Sequence, residues 1–156
     1  MLDIRQDPLT SPEIRALLAF HQQSDMAVSH PGTSTALNLS ALQTPDITVW
    51  SVWDGDALAG CGALKQLSST HGELKSMRTH PDHLRKGVAQ ALLSHMIGEA
   101  RVKGYARLSL ETGTGAAFDP ALALYRKNGF VNGPVFGDYT PSAFNQFLHL
   151  AFVTSE

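Results

Sequence analysis

The spacing of apolar positions changes several times along the chain, and each change marks an element. Residues 2–6 predict a short first strand. Ser11-Pro12-Glu13 then opens a helix, with serine as cap, proline at the first helical position and an acid in the first turn. Ile14, Leu17, Leu18 and His21 follow at helical spacing and extend that helix over residues 12–25. Residues 29–35 read as a loop. Ala36, Leu37, Leu39 and Leu42 suggest a second short helix that stops before Pro45. From Ile47 to Trp53 the chain turns β-branched and aromatic, Asp54-Gly55 signals a hairpin, and Ala57 to Leu64 is the return strand. Trp50 and Trp53 face opposite sides of their strand, so at least one packs in the core.

Gly72 to Thr79 predicts another strand, broken by His80-Pro81-Asp82. Val88 to Lys103 carries the strongest helical pattern, with Val88, Ala91, Leu92, Met96 and Ala100 on one face and Gly104 as the stop. Ala106 to Glu111 is a strand, Asp119-Pro120 starts a helix over 120–128 that Gly129 ends, and two strands close the chain at 130–136 and 144–152. The order β-α-α-β-β-β-α-β-α-β-β describes a mixed α/β sheet with helices packed on it.

At 156 residues the chain fits one compact domain, 1–156. Its 43% hydrophobic and 17% charged residues are those of a globular core rather than of a disordered segment. The net charge of -2 gives no basic excess for nucleic acid. No apolar run approaches the roughly 20 residues that cross a bilayer, and the N-terminus has no signal-peptide pattern, so a cytoplasmic protein is expected. The single cysteine, Cys61, can form no internal disulfide and reads as a small core residue. None of the seven histidines has ligand spacing, so no metal is expected.

Chemistry concentrates between Glu73 and Leu93, where a strand runs into a tight basic loop and then a long helix. The first amides of a helix have no internal partners, and the helix dipole adds positive charge there. A phosphate or pyrophosphate is the natural guest. Gly87 lets a ligand approach the backbone, and Arg85 and Lys86 add charge beside it. The same three residues also read as an ordinary exposed turn. Neither a Walker A loop nor a dinucleotide fingerprint is present.

Leu84-Arg85-Lys86-Gly87-Val88-Ala89 resembles the Arg/Gln-x-x-Gly-x-Gly/Ala loop of the GNAT superfamily, the Gcn5-related N-acetyltransferases. Leu124-Tyr125-Arg126-Lys127-Asn128-Gly129-Phe130 is similar to that family's Leu-Tyr-x-x-x-Gly-Phe at the expected distance downstream. The chain departs from the family at two places: Leu84 stands where Arg or Gln is usual, and Phe118 where many members have Asn.

The resemblance implies a GNAT-like mixed sheet of about six to seven strands flanked by about four helices. Two central parallel strands, 72–79 and 106–111, would splay apart to admit the pantetheine arm of acetyl-CoA. Backbone groups of Met77, Arg78 and Thr79 would pair with that arm, and the amides of Arg85, Lys86, Gly87, Val88, Ala89 and Gln90 would hold the pyrophosphate. Tyr125 is then the candidate acid for the departing thiolate. Glu73 is the candidate base, often through water, with Glu111 as a second candidate. Glu73 also reads as an exposed strand residue paired with Lys75 or Arg107. Counting by twos puts Glu73, Lys75, Met77 and Thr79 on one face.

The acceptor would be a small-molecule amine or a peptide, shaped by residues 20–40, which include Met26, His30, Pro31 and Thr33, and by residues 134–144, which include Phe136, Asp138 and Tyr139. A homodimer stays open, as does a sensor that binds acetyl-CoA with little turnover.

Overall fold

The computed structural model describes residues 2–7, 11–17, 43–137 and 139–152. Seven strands are present among them: β1 (Leu2–Gln6), β2 (Ile47–Asp54), β3 (Ala57–Ser68), β4 (His71–Thr79), β5 (Arg107–Gly113), β6 (Val131–Asn132) and β7 (Asn145–Ala151). Residues 12–17 are helical (α1), followed by α2 (Val88–Val102) and α3 (Asp119–Lys127). The expected helix over 36–42 and the second half of the first helix lie outside the described residues. No described helix is long and apolar enough to cross a membrane.

The strands form one sheet in the order β1-β2-β3-β4-β5-β7-β6. Only β4 and β5 are parallel; every other neighbouring pair is antiparallel. The strand expected over 130–136 shrinks to two residues. Gly133 still donates to Phe147 O at 3.0 Å, but Pro134 has no N–H to extend the ladder.

One face of the sheet carries the larger core. Trp50, Val52, Leu64, Leu74, Leu108, Leu110 and Leu148 meet Val88, Leu92, Leu93, Met96 and Ala100 of α2, and Leu122 and Tyr125 of α3. Leu93 rather than Ala91 completes the buried stripe of α2. The opposite face of β2 and β3 is covered by Ile14 and Leu17 of α1, which pack on Val49, Leu58, Cys61 and Ala63. Trp50 is buried in the larger core, and Trp53 packs against the smaller one. Burial pushes the Cys61 thiol up to about 12, so it stays protonated, a core residue as expected.

The β3–β4 register slips by one residue between Cys61 and Ala63, where three residues of β4 span two steps of β3. Opposite this bulge stands Gly62. A methyl group there would lie 2.9 Å from Met77 Sδ and 3.0 Å from Met96 Sδ. The bulge therefore turns Met77 into the α2 core, while Glu73 lies on the face opposite its buried neighbour Leu74. Strict alternation had put Glu73, Lys75, Met77 and Thr79 together, and the extra residue separates them.

Gly72 lies under the buried ring of Tyr105, and a Cβ there would come within 2.6 Å of the ring. Gly72→Ala should therefore destabilise the fold by about 1–3 kcal/mol. That lowers the melting temperature by roughly 3–10 °C in a scanning calorimeter.

Candidate functional site

Parallel pairing of β4 with β5 covers only His71↔Arg107, Gly72↔Leu108 and Glu73↔Ser109. Beyond Glu73 each strand stays paired on its outer side. β4 holds β3 through Thr79↔Gly60, and β5 holds β7 through Gly113↔Asn145. Two inner edges, rich in backbone donors and acceptors, thus open away from each other. Met77, Arg78 and Thr79 lie along the β4 edge, where the sequence placed them.

At the open end of β4 the chain enters a loop pinned to the sheet, with His80 N–H donating to Ala59 O at 2.7 Å. Arg85 has φ of 64° and Gly87 φ of 80°. Alternating left-handed residues turn successive amides into one concavity, a favourable seat for an anion. Arg85 is the one non-glycine with positive φ among the described residues, and such strain concentrates at binding sites. Gly87 caps α2 with no side-chain bond, and Ala91 N–H opens the ladder to Gly87 O at 3.0 Å. The amides before it, through Gln90, point to the loop. Arg85, Lys86 and Leu84 are exposed, Leu84 by 58%. Leu84 therefore places an apolar surface beside the amides, where the family usually has a polar side chain.

Gln90 contributes more than an amide. Its side chain exchanges two hydrogen bonds of 2.9 Å with Asn128, which also donates to Leu124 O at 2.8 Å. This amide pair ties α2 to the end of α3 and so holds Tyr125 relative to the loop. Nothing in the sequence motifs marked Asn128. Tyr125 itself is only 8% exposed, edge-on to Phe130 at 5.8 Å, and burial raises its phenol to about 12. It is a protonated donor throughout the neutral range. Phe118, the second departure from the family pattern, lies on Gly113, leaving no room for a Cβ there.

The other face of the gap is polar. Glu73 is 3% exposed, not the exposed strand residue that one reading of the sequence allowed. It pairs with Lys75 at 3.2 Å, as that reading also foresaw. Tyr139 OH donates to the same Glu73 oxygen, Oε2, and Lys75 Nζ donates to Tyr139 OH at 3.0 Å. Burial, and then the charge of Glu73, push the Tyr139 phenol far above its usual range. Glu111 accepts from Asn145 at 3.1 Å on the neighbouring strand.

A second chain of bonds fixes the loop that carries Tyr139. His149 Nε2 lies 2.8 Å from Pro134 O, which can only accept. With His149 Nε2 as the donor and Nδ1 as the acceptor, the direction follows: Ser109 donates to His149 Nδ1 at 2.7 Å and accepts from His71 Nε2 at 2.7 Å. Burial, with Arg107 and His149 nearby, lowers the His71 pKa and favours its neutral form. Phe136 packs against His71, Tyr139, Phe147 and His149 within 6 Å. Residues 20–40 and Asp138, the other expected contributors to the acceptor site, lie outside the described residues.

Residues 14–130 match the family model described as the acetyltransferase (GNAT) family. The uncharacterised N-acetyltransferase YsnE of Bacillus subtilis is 51% identical over 138 residues, covering 88% of this chain and 91% of that protein. The uncharacterised N-acetyltransferase YedL of Escherichia coli is 47% identical over 150 residues, covering 96% and 94%. Among solved structures, a Klebsiella pneumoniae protein described as an acyl-CoA N-acyltransferase superposes with a TM-score of 0.82 at 26% identity, covering 97% of each chain.

All three tyrosines, Tyr105, Tyr125 and Tyr139, have phenols raised above their usual value. An unfolded chain sheds these protons near pH ~10 while the folded protein keeps them. Their contribution to stability is therefore complete below about pH 10 and is lost as pH rises towards ~12. Tyrosinate absorbance of the folded protein should rise at higher pH than that of the unfolded chain, with Tyr125 ionising only at about pH 12. A rise centred near pH ~10 would contradict the burial described above.

Proposed function

The chain belongs to the acetyltransferase (GNAT) family, and on that premise we propose that it moves an acetyl group from acetyl-CoA to the amine of a small molecule or peptide, by direct attack in a ternary complex. The carrying observation is the divergence of β4 and β5 beyond Glu73↔Ser109, with an amide-lined loop at its mouth. The inner edge of β4 at Met77, Arg78 and Thr79, beyond the last pairing with β5, suits a pantetheine arm, which offers amides to a strand. The amides of Arg85 to Gln90, with the charges of Arg85 and Lys86, suit a pyrophosphate. The Gln90 side chain is held by Asn128, so its part is played by the backbone.

Acetyl-CoA supplies an activated thioester. The protein holds the amine against it and manages the protons. Glu73 takes a proton from the incoming ammonium, directly or through water, and its lone pair is freed for attack. A nitrogen–carbon bond forms and the carbon–sulfur bond breaks, its electron pair leaving on sulfur. Tyr125, protonated at neutral pH, donates to that thiolate and recovers a proton from the nitrogen. One proton is released overall. Glu73 and Tyr125 lie on opposite faces of the sheet, so base and acid act on the reacting centre from different sides. Glu111, tethered by Asn145, is the second candidate base.

Acetyl-CoA at 100 times its Kd should stabilise the protein by about 2.7 kcal/mol, a rise of roughly 5–10 °C in melting temperature. ATP at the same concentration should give none. No rise at millimolar acetyl-CoA would remove the reading of the loop, and a rise without turnover of any amine would make the protein a sensor. Tyr125→Phe should lower kcat by about 100-fold and spare acetyl-CoA binding. Unchanged turnover would take Tyr125 out of the mechanism.

A further inference from the structure

We infer that the acceptor is a free α-amino acid, whose ammonium meets Glu73 and whose carboxylate meets Lys75. The inference deepens the acetyl transfer proposed above and rests on it.

Glu73 and Lys75 stand two residues apart on β4, at the point where its pairing with β5 ends. Their side chains are 3% and 11% exposed, and their charged atoms lie 3.2 Å apart. The Lys75 and Tyr139 bonds both fall on Glu73 Oε2. Among the described residues none bonds to Oε1, which is left for an incoming donor. Burying an ion pair carries a heavy desolvation cost that packing alone does not repay. A base for an amine does not need a lysine bound to it.

The pair makes sense when the ligand completes it. A simple ammonium entering at Oε1 would set two cations on one carboxylate in a site nearly closed to water. Tyr139, a neutral phenol, supplies no compensating charge. An α-amino acid brings its own anion. Its nitrogen and carboxyl carbon are about 2.5 Å apart, so one small molecule can present both charges to two side chains whose own charged atoms lie 3.2 Å apart. The four charges then alternate around a small ring, and no charge is left unanswered. Tyr139, bonded to both partners, sets the plane of that ring. When Glu73 takes the ammonium proton it becomes neutral, and Lys75 passes wholly to the carboxylate of the N-acetyl product. An amine, an amino-acid amide or a peptide N-terminus has no carboxylate at this distance and leaves Lys75 competing for Glu73.

The experiment measures thiol release from acetyl-CoA by the full-length protein. Each of the common amino acids is compared with its carboxamide and its decarboxylated amine, and kcat/KM is referred to the unprotonated fraction of each nitrogen. At least one amino acid should exceed both of its counterparts by about 10- to 100-fold, the weight of a charged hydrogen-bonded contact. The difference should lie mainly in KM. Lys75→Met should bring the acid-to-amide ratio close to one, whereas Lys75→Arg should keep most of it. The ratio in the unaltered protein decides the matter alone if Lys75→Met does not fold. Amides or amines turned over as well as the acids would overturn the inference. So would a ratio that survives Lys75→Met, or no turnover of any amino acid while acetyl-CoA still raises the melting temperature. That last result spares the acetyl-CoA site, whereas absence of the acetyl-CoA shift removes the site and the inference together.

Discussion

The structure depends on one interrupted ladder. β4 and β5 are paired for three residues and then part, each still held by its outer neighbour. Parallel pairing needs the strands to stay about 4.8 Å apart, and beyond Glu73 they do not. Elsewhere in a sheet such an edge would be a liability, since unpaired amides and carbonyls attract another strand. Here it is internal, flanked on both sides by paired strands. The rest of the molecule holds this opening in place. Gly60 lets Val88 sit close to the sheet, which sets the start of α2 beside the open end of β4.

The β-bulge beside Gly62 gives the two faces of the opening different chemistry. It turns Met77 into the apolar core beneath α2, and Glu73 lies on the opposite face, with Tyr139 and Lys75 as partners. The helix face contributes a phenol that stays protonated because it is buried. The opposite face contributes a carboxylate that is buried yet charge-paired. In the proposed mechanism, acid and base then act from opposite faces without neutralising each other.

The polar face is held by bonds between elements far apart in sequence. His71, Ser109 and His149 come from β4, β5 and β7, and their chain ends on Pro134 O. Buried polar groups must find partners, and a satisfied chain admits few alternative arrangements. This one fixes the loop on which Phe136 and Tyr139 are carried, and hence the hydroxyl that reaches Glu73. The Gln90–Asn128 pair does the same for α3 and Tyr125 on the other face. Each candidate catalytic group is therefore steadied by a network remote from the reacting atoms.

Local physics was legible in the sequence. Helix starts, turns and strands follow from capping residues, proline, glycine and apolar period, which act over a few residues. The β2–β3 hairpin, the α2 stripe and the loop at Arg85 to Gly87 could all be read there, and the family motif at Tyr125 added a candidate acid. Three things could not be read. The bulge is a count of two strands against each other, so alternation along β4 alone put Met77 on the wrong face. The shortening of β6 depends on where Pro134 meets its neighbour. The bond by which Tyr139 closes on the Glu73–Lys75 pair joins residues 66 positions apart. Spacing along a chain sets which groups can share a helix face or a strand face. Which groups touch across the fold is set by strand order, register and loop anchoring, and these exist only once the sheet has closed.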